Sequence, residues 1–432
     1  MSSNRRTDLQ KMAVLDKLYL AVMYTGNTTF GQAVMELNDC IDETILKKAV
    51  ETNLKTFAGS NFSKKLVIHK NDYFLMDNHN EAPVFRMDDA PKRVCSEDTN
   101  QYPFYVAYED NKLKFVFAHF VSDGTGMYMF MDYVVKTYLR DRYPGDVEFD
   151  GAAMLEDSPF ETIAEPLDLL EEQKKKKAKN KKVFYKACDP DGAGVRSYIK
   201  MPEEKVLELA KAWGITPVGL IIGVFSRALR NVYEPEDASV VTNVMVDLRR
   251  RTGIYPLGNF SGAVHVAIDT DEFAPDLEAD CKNAGSKLEK ELGCSYYNLD
   301  MNKAFVGLYK LIPGKLKTKI AIARKLIGDA GKGFMTYVVS YMKLPEQPDW
   351  YMSRVKDMVF SVHTGAIDSA TVAVISQNGV MTWQLTELAD RKKILSEVSR
   401  MMGEYGIDCE ITESRDSFRD YLDIDAIEQM KR

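Results

Sequence analysis

Histidine is scarce in this chain, with five residues among 432. Chance therefore seldom sets one of them beside an acid and a glycine at a mechanistically useful spacing. Cysteine is thin as well. Cys40, Cys95, Cys188, Cys281, Cys294 and Cys409 are scattered without CxxC spacing, which excludes a zinc ribbon or a disulfide scaffold as the organising device, and no metal site is expected. Free thiols in a chain of this size fit a reducing compartment, so a cytoplasmic protein is expected. An excess of basic residues is missing: 57 Lys and Arg face 64 Asp and Glu, a formal net charge of −7. That balance argues against a general nucleic-acid binder, and no nucleic-acid partner is expected. Long apolar runs are missing too. The first apolar residues are interrupted by Asp8, Lys11, Asp16 and Lys17, so no signal-peptide core forms. The most apolar stretch, Thr216 to Leu229, is shorter than a bilayer requires and carries Arg227. It reads as a buried core helix, and no transmembrane segment is expected. No internal repeat is present.

What is present is an ordinary globular composition, 45% hydrophobic and 28% charged, in a chain long enough for two packed domains. Periodicity and turn signals predict an α+β first part. Thr29 to Leu37 reads as a strand. A helix opened by Asp42 or Glu43 follows, with Ile45, Leu46, Ala49, Val50, Leu54 and Phe57 on one face. Lys65 to Ile68 and Tyr73 to Met76 read as one hairpin, and Phe104 to Tyr108 with Leu113 to Phe120 as another. A helix from Gly126 to Leu139 repeats apolar residues at three- and four-residue spacing. Between about Tyr143 and Asp191 the character shifts to prolines, acids and the lysine run Lys174 to Lys182. This run reads as a solvated helix or crossover loop, or as a holder of phosphates, and the domain boundary is placed here.

The second part predicts strands at Val195 to Ile199, Val240 to Leu248, Gly262 to Ile268, Met335 to Met342 and Met358 to His363. Thr216 and Pro217 are a helix cap and first-turn proline. Thr371 to Gln377 and Val380 to Leu385 flank Asn378-Gly379, the strongest short hairpin signal in the sequence.

The stretch richest in chemistry is Lys112 to Met131. Period-two alternation sets Leu113, Phe115, Phe117 and His119 on one strand face. Ser122, Asp123, Gly124, Thr125 and Gly126 then form a tight turn before a helix. A histidine at a strand end, held by such a turn, is a rigid way to present an imidazole. With five histidines, an Asp four and a Gly five residues on arise by chance at a rate of roughly a few per cent. A core histidine beside an ordinary turn is the bland alternative.

His119-Phe120-Val121-Ser122-Asp123-Gly124 resembles the HxxxDG motif of the thioester-dependent acyltransferase superfamily that includes chloramphenicol acetyltransferase, peptide-synthetase condensation domains and bacterial alcohol acetyltransferases. Phe30 to Phe57 is similar to that family's opening strand and first helix. Asn243 to Arg249 resembles its strand ending in Leu-Arg. Pro256 to Phe260 resembles its Gly-Asn-Phe segment, and Tyr337 to Tyr341 resembles a late strand carrying a serine. The resemblance implies two chloramphenicol-acetyltransferase-like α+β subdomains, mixed sheets with covering helices, in a pseudo-dimeric V around a central tunnel. The expected division is 1–160, a crossover at 161–194, and 195–432.

It further implies His119 as general base and Asp123 paired with Arg249 and pointing away from substrate. Gly124 would allow the backbone to turn, and Asn259 and Ser340 would bind substrate, with Ser340 a candidate oxyanion donor. Co-substrate and partners would be acyl-CoA, or an acyl carrier protein's thioester, and a small-molecule acceptor, with the chain a monomer. Condensation domains carry a second histidine directly before the first, where this sequence has Ala118, and the DFGWG segment of the superfamily's plant acyltransferases has no counterpart. Both departures move the expectation toward the alcohol-acetyltransferase-like branch. A condensation domain using carrier-bound thioesters, and a non-catalytic binding protein that keeps the fold, remain the alternatives.

Overall fold

The structure, a computed structural model, describes residues 9–13, 16–17, 19–20, 30–89, 93–149, 181–186, 195–293, 311, 315–331, 333–362, 370–386, 390–415 and 428–429. The first part contributes β1 (Phe30–Leu37), α1 (Glu43–Thr56), β2 (Lys64–His69), β3 (Asp72–Asp77), β4 (Val84–Arg86), β5 (Phe104–Glu109), β6 (Lys112–Ala118) and α2 (Gly124–Arg142). The second contributes β7 (Val195–Pro202), α3 (Glu203–Ala212), α4 (Pro217–Tyr233), β8 (Ala238–Asp247), β9 (Ser261–Asp269), α5 (Leu277–Leu292), α6 (Leu316–Gly331) and β10 (Tyr337–Met342). It continues through β11 (Val355–Val362), β12 (Ala370–Gln377), β13 (Val380–Thr386), α7 (Arg391–Gly403) and β14 (Glu410–Arg415).

Two main sheets organise these elements. One runs β11-β1-β6-β5-β4, and the other runs β9-β8-β10-β12-β13-β7-β14. In the second, β8, β10 and β12 are mutually parallel while their flanking neighbours are antiparallel, so the sheet is mixed. The strand β11 comes from the second part of the chain yet pairs antiparallel with β1, Val362 opposite Gly31 and Val359 opposite Val34. The expected division by sequence position thus meets a chain that crosses between sheets. Most of the expected 161–194 crossover, including Lys174 to Asn180, lies outside the described residues. Lys181, near the end of the lysine run, pairs with Asp271 at 3.0 Å and Asp237 at 3.4 Å.

Alternation in the large sheet decides what faces the junction. Tyr337, Val339, Val372 and Val374 pack into the core of the second part, under α4, α5 and α7. Their strand neighbours Met342, Ala373 and Ile375 point the other way, into the core built around β1, β6 and α2. The two cores therefore meet across the inner face of this sheet.

The apolar segment expected as a core helix is α4. Thr216 caps it, its hydroxyl accepting from Gly219 N at 3.2 Å, and Leu220, Ile221, Ile222, Val224 and Phe225 have no exposed surface. No single helix among the described residues is long and apolar enough to cross a bilayer. The α3–α4 pair passes only jointly and is bent by 92°. Close packing of α4 on α5 rests on small residues: a Cβ at Gly223 would come within 2.5 Å of Cys281 Cα, and one at Gly219 within 3.0 Å of Gly285 Cα. Backbone cannot yield there as a side-chain tip can. Gly223→Ala is expected to destabilise by about 1–3 kcal/mol, the usual range for overpacking, and denaturant unfolding measures it. An unchanged midpoint would mean the helices separate freely.

Candidate active site

The predicted β6 runs to Phe120, but the observed strand stops at Ala118, whose N–H reaches Pro103 O at 3.0 Å. A turn closed by Val121 N to Ala118 O at 2.9 Å follows, so His119 sits just past the strand, inside the turn. Among the described residues both flanking ladders end here, β5 with Phe104 opposite Phe117 and β1 with Phe30 opposite Ala118.

Asp123 is the pivot of this turn. As N-cap of α2 it accepts from Gly126 N through Oδ1 at 2.9 Å. Through Oδ2 it accepts from Arg249 Nη1 at 2.9 Å and from Phe260 N at 2.7 Å. Arg249 has no exposed side-chain surface and uses every nitrogen of its fork. Nε donates to Pro256 O at 2.9 Å, Nη2 to Gly258 O at 2.7 Å, and Nη1 also to Asp247 Oδ1 at 3.1 Å. Burial opposes its charge, but the carboxylates of Asp123 and Asp247 outweigh that and hold the guanidinium above its ordinary pKa. One guanidinium thus ties the end of β8 and the 256–258 loop to the histidine turn. Ser122 Oγ adds a bond to Leu257 O at 2.5 Å.

The glycines after Asp123 serve close approach more than turning. Neither Gly124 nor Gly126 has a positive φ, which departs from the turn-permitting role expected for Gly124. A Cβ on Gly124 would lie 2.8 Å from Met342 Sδ and 3.4 Å from Phe360 Cζ, and one on Gly126 would run into the Leu257 carbonyl. Both keep α2 tight against strands and loops of the second part.

His119 is partly exposed, while its Nδ1 is buried and without a hydrogen-bond partner. The Tyr19 ring stacks on it, centroids 4.0 Å apart and planes within 17°, and Phe117 lies 6.2 Å away, tilted by 45°. Asn259 Nδ2 donates to His119 O at 2.8 Å and to Asp16 Oδ1 at 2.9 Å. Burial pushes the imidazole pKa below its ordinary value, against opposing contributions from its own backbone, Asp123 and Asn259.

The structure thus brings His119, Asp123, Gly124, Arg249 and Asn259 together. Asn259, expected to touch substrate, uses its amide nitrogen to support the histidine's backbone. Ser340 stands apart: no hydrogen bond among the described residues joins it to the histidine turn. It pairs in register with Ala373 and, by alternation, shares a strand face with Met342, which packs at Gly124. Sequence reasoning missed Asp16, Tyr19 and Asn61. Asp16 and Tyr19 are three residues apart, hence on one face of a helical turn, but Asp16 registers in the sequence only as a break in an apolar run.

No family model and no curated protein matches this chain at the level of sequence. Solved structures do match in fold. Trichothecene 15-O-acetyltransferase from Fusarium sporotrichioides superposes with a TM-score of 0.59 at 12% identity, covering 94% of this chain and 96% of that one. Polyketide synthase associated protein 5 from Mycobacterium tuberculosis gives 0.58 at 11% identity, covering 91% and 97%. The first condensation domain of the CDA synthetase gives 0.55 at 13% identity, covering 92% and 95%. Nearly the whole chain therefore has the mixed-sheet fold of condensation and chloramphenicol-acetyltransferase-like domains.

Breaking a buried ion pair from one side strands the other charge. Asp123→Ala and Arg249→Ala are each expected to cost about 3–5 kcal/mol. The double variant should lose clearly less than the sum, because the two share one interaction. Additive losses in denaturant unfolding would mean the pair is not coupled.

Proposed function

We propose that this protein is an acyltransferase that moves an acyl group from a CoA thioester to an alcohol or amine, with His119 as general base. The observation that carries the reading is an imidazole at the seam of two cores, its turn braced from behind by the Asp123–Arg249 pair. An alcohol or amine attacks poorly until a base removes its proton as the new bond forms, and a positioned imidazole supplies about 10²–10⁴-fold for that step. Nδ1 is buried, so Nε2 takes the proton. The acceptor's oxygen or nitrogen adds to the thioester carbonyl and the C–S bond breaks. The proton then passes from the imidazolium to the departing thiolate. A pKa held low by burial keeps the ring neutral near pH 7, ready to accept.

Asp123 has both oxygens occupied by donors on the far side of the turn, which suits a bracing role and not a proton relay. The oxyanion formed at the carbonyl calls for a hydrogen-bond donor, and Ser340 is proposed for it. Ala118, where condensation domains carry a second histidine, favours the alcohol-acetyltransferase-like branch, as does the likeness to an O-acetyltransferase. The likeness to condensation domains supports a second reading, in which the thioester is delivered on a carrier protein.

A mass-spectrometric screen of mixed acyl-CoAs against pooled alcohols and amines tests both. The wild-type protein is expected to form an acylated product. His119→Ala should lose at least about 10²-fold in rate while melting at nearly the same temperature. Full activity in that variant would end the general-base assignment. Product formed only from a carrier-loaded thioester would select the second reading. Rate should also respond to pH in a set direction. Protonated imidazole cannot accept, so kcat/KM should stay level down through neutrality and fall only below about pH 6.5, the ordinary imidazole value. An acid limb centred above that would contradict burial as the dominant influence on the ring.

A further inference from the structure

We infer that Asp16 and Tyr19, near the start of the chain, form a positioning element for His119: Tyr19 fixes the plane of the imidazole, and Asp16 orients two asparagine amides that hold the turn carrying it. This deepens the reading above and takes its catalytic meaning from it.

The backbone of the turn is held at two carbonyls. Asn259 Nδ2 donates to His119 O at 2.8 Å, and Asn61 Nδ2 donates to Val121 O at 3.2 Å. Each amide nitrogen has two hydrogens, and in each case the second goes to Asp16. Asn259 reaches Oδ1 at 2.9 Å and Asn61 reaches Oδ2 at 3.2 Å. Asp16 is itself buried, at 4% exposure. An ionised carboxylate only accepts, so it admits the NH₂ end of each asparagine and repels the carbonyl end. Flipping either amide would set oxygen against oxygen and release a carbonyl of the turn. Asn259 keeps this orientation although its own Oδ1 is buried without a partner. The three side chains form one closed support, with Asp16 as the member that dictates direction.

Those bonds are made to the main chain, and the Asn259 side chain also acts on the ring, favouring its charged form. The larger constraint on the plane of the ring is contact. Tyr19 lies parallel to it at 4.0 Å, covering one face, and its hydroxyl is directed toward Ser261 at the start of β9. Asp16 and Tyr19 are each helical and lie three positions apart, so the residue that sets the amides stands close in the chain to the stacking ring. A displacement of about 1 Å at a reacting group can cost about 10²-fold in rate. That magnitude makes the stack a matter of rate as well as of packing.

The test reads the ring directly. Nitrogen-detected NMR of the histidine side chains is recorded on the unliganded 432-residue chain, with His119 assigned by loss of its signal in His119→Ala. Tyr19→Leu is expected to turn a single tautomer into a mixture and to raise the His119 pKa toward about 6.5. The charged groups around the ring, Asp16, Asp123 and Arg249 behind it, are unchanged in that variant, so the rise reports water reaching the uncovered face. Tyr19→Phe, which keeps the stack, should match wild type. Asp16→Asn should broaden the His119 signal while the protein still melts cooperatively. With a substrate from the screen in hand, Tyr19→Leu should lower kcat by about 10–100-fold and leave KM nearly unchanged, and Tyr19→Phe should restore kcat.

An unaltered tautomer and pKa in Tyr19→Leu would overturn the inference. Should that variant fail to fold, Asp16→Asn decides alone: wild-type His119 signals in it would overturn the inference. The ring measurement needs no acyl transfer. A wild-type protein that transfers nothing would therefore remove the proposed function and leave this test standing. Unchanged signals with His119-dependent transfer would do the reverse.

Discussion

A single buried carboxylate–guanidinium contact, Asp123 to Arg249, fixes how the two parts of this molecule meet. The two residues are 126 positions apart in sequence, and between them they bind the N-terminus of α2, the Phe260 amide, two loop carbonyls and the acid at the end of β8. Removing two charges from water is costly, and attraction in a poorly polarisable interior offsets that only when the remaining donors and acceptors are also satisfied. Here they are, by main-chain groups whose positions the fold already determines. The pair is therefore better understood as a register device than as a source of net stability: only one docking of the two cores satisfies every partner at once.

Much of this was legible locally. The period-two row in β6, the Thr216–Pro217 helix start and the Asn378–Gly379 hairpin all carry their own signals. The hairpin's two residues do take the positive φ values, 52° and 75°, that such a turn demands. The Asp123–Arg249 pair was reachable by resemblance because both ends lie in recognisable short segments. The pairing of β11 with β1 was not, since Met358 and Met35 are brought together by topology and neither strand's composition names its partner. Where β6 ends was also not a local property: it coincides with where its two flanking ladders end, at Phe104 and Phe30.

The support around the histidine was the least legible part, for a related reason. Asp16, Asn61 and Asn259 come from three remote stretches, and each looks alone like a loop or surface polar residue. Their burial, not their identity, gives them meaning, and burial is a property of the assembled molecule. A buried carboxylate whose oxygens both meet asparagine amides is a costly arrangement to keep unless orientation matters.

The site separates two tasks that a catalytic histidine poses. Its main chain is held by directional bonds drawn from both parts of the fold, which resist displacement. Its ring is held by an aromatic face, which limits rotation while Nδ1 meets no hydrogen-bond partner. A carboxylate bonded to the ring would have fixed it as well, at the cost of raising its pKa and occupying a nitrogen. Stacking and burial press the other way, toward a neutral ring with a vacant lone pair. For a base that must start unprotonated at neutral pH and accept a proton only during attack, the second arrangement is the one the chemistry asks for.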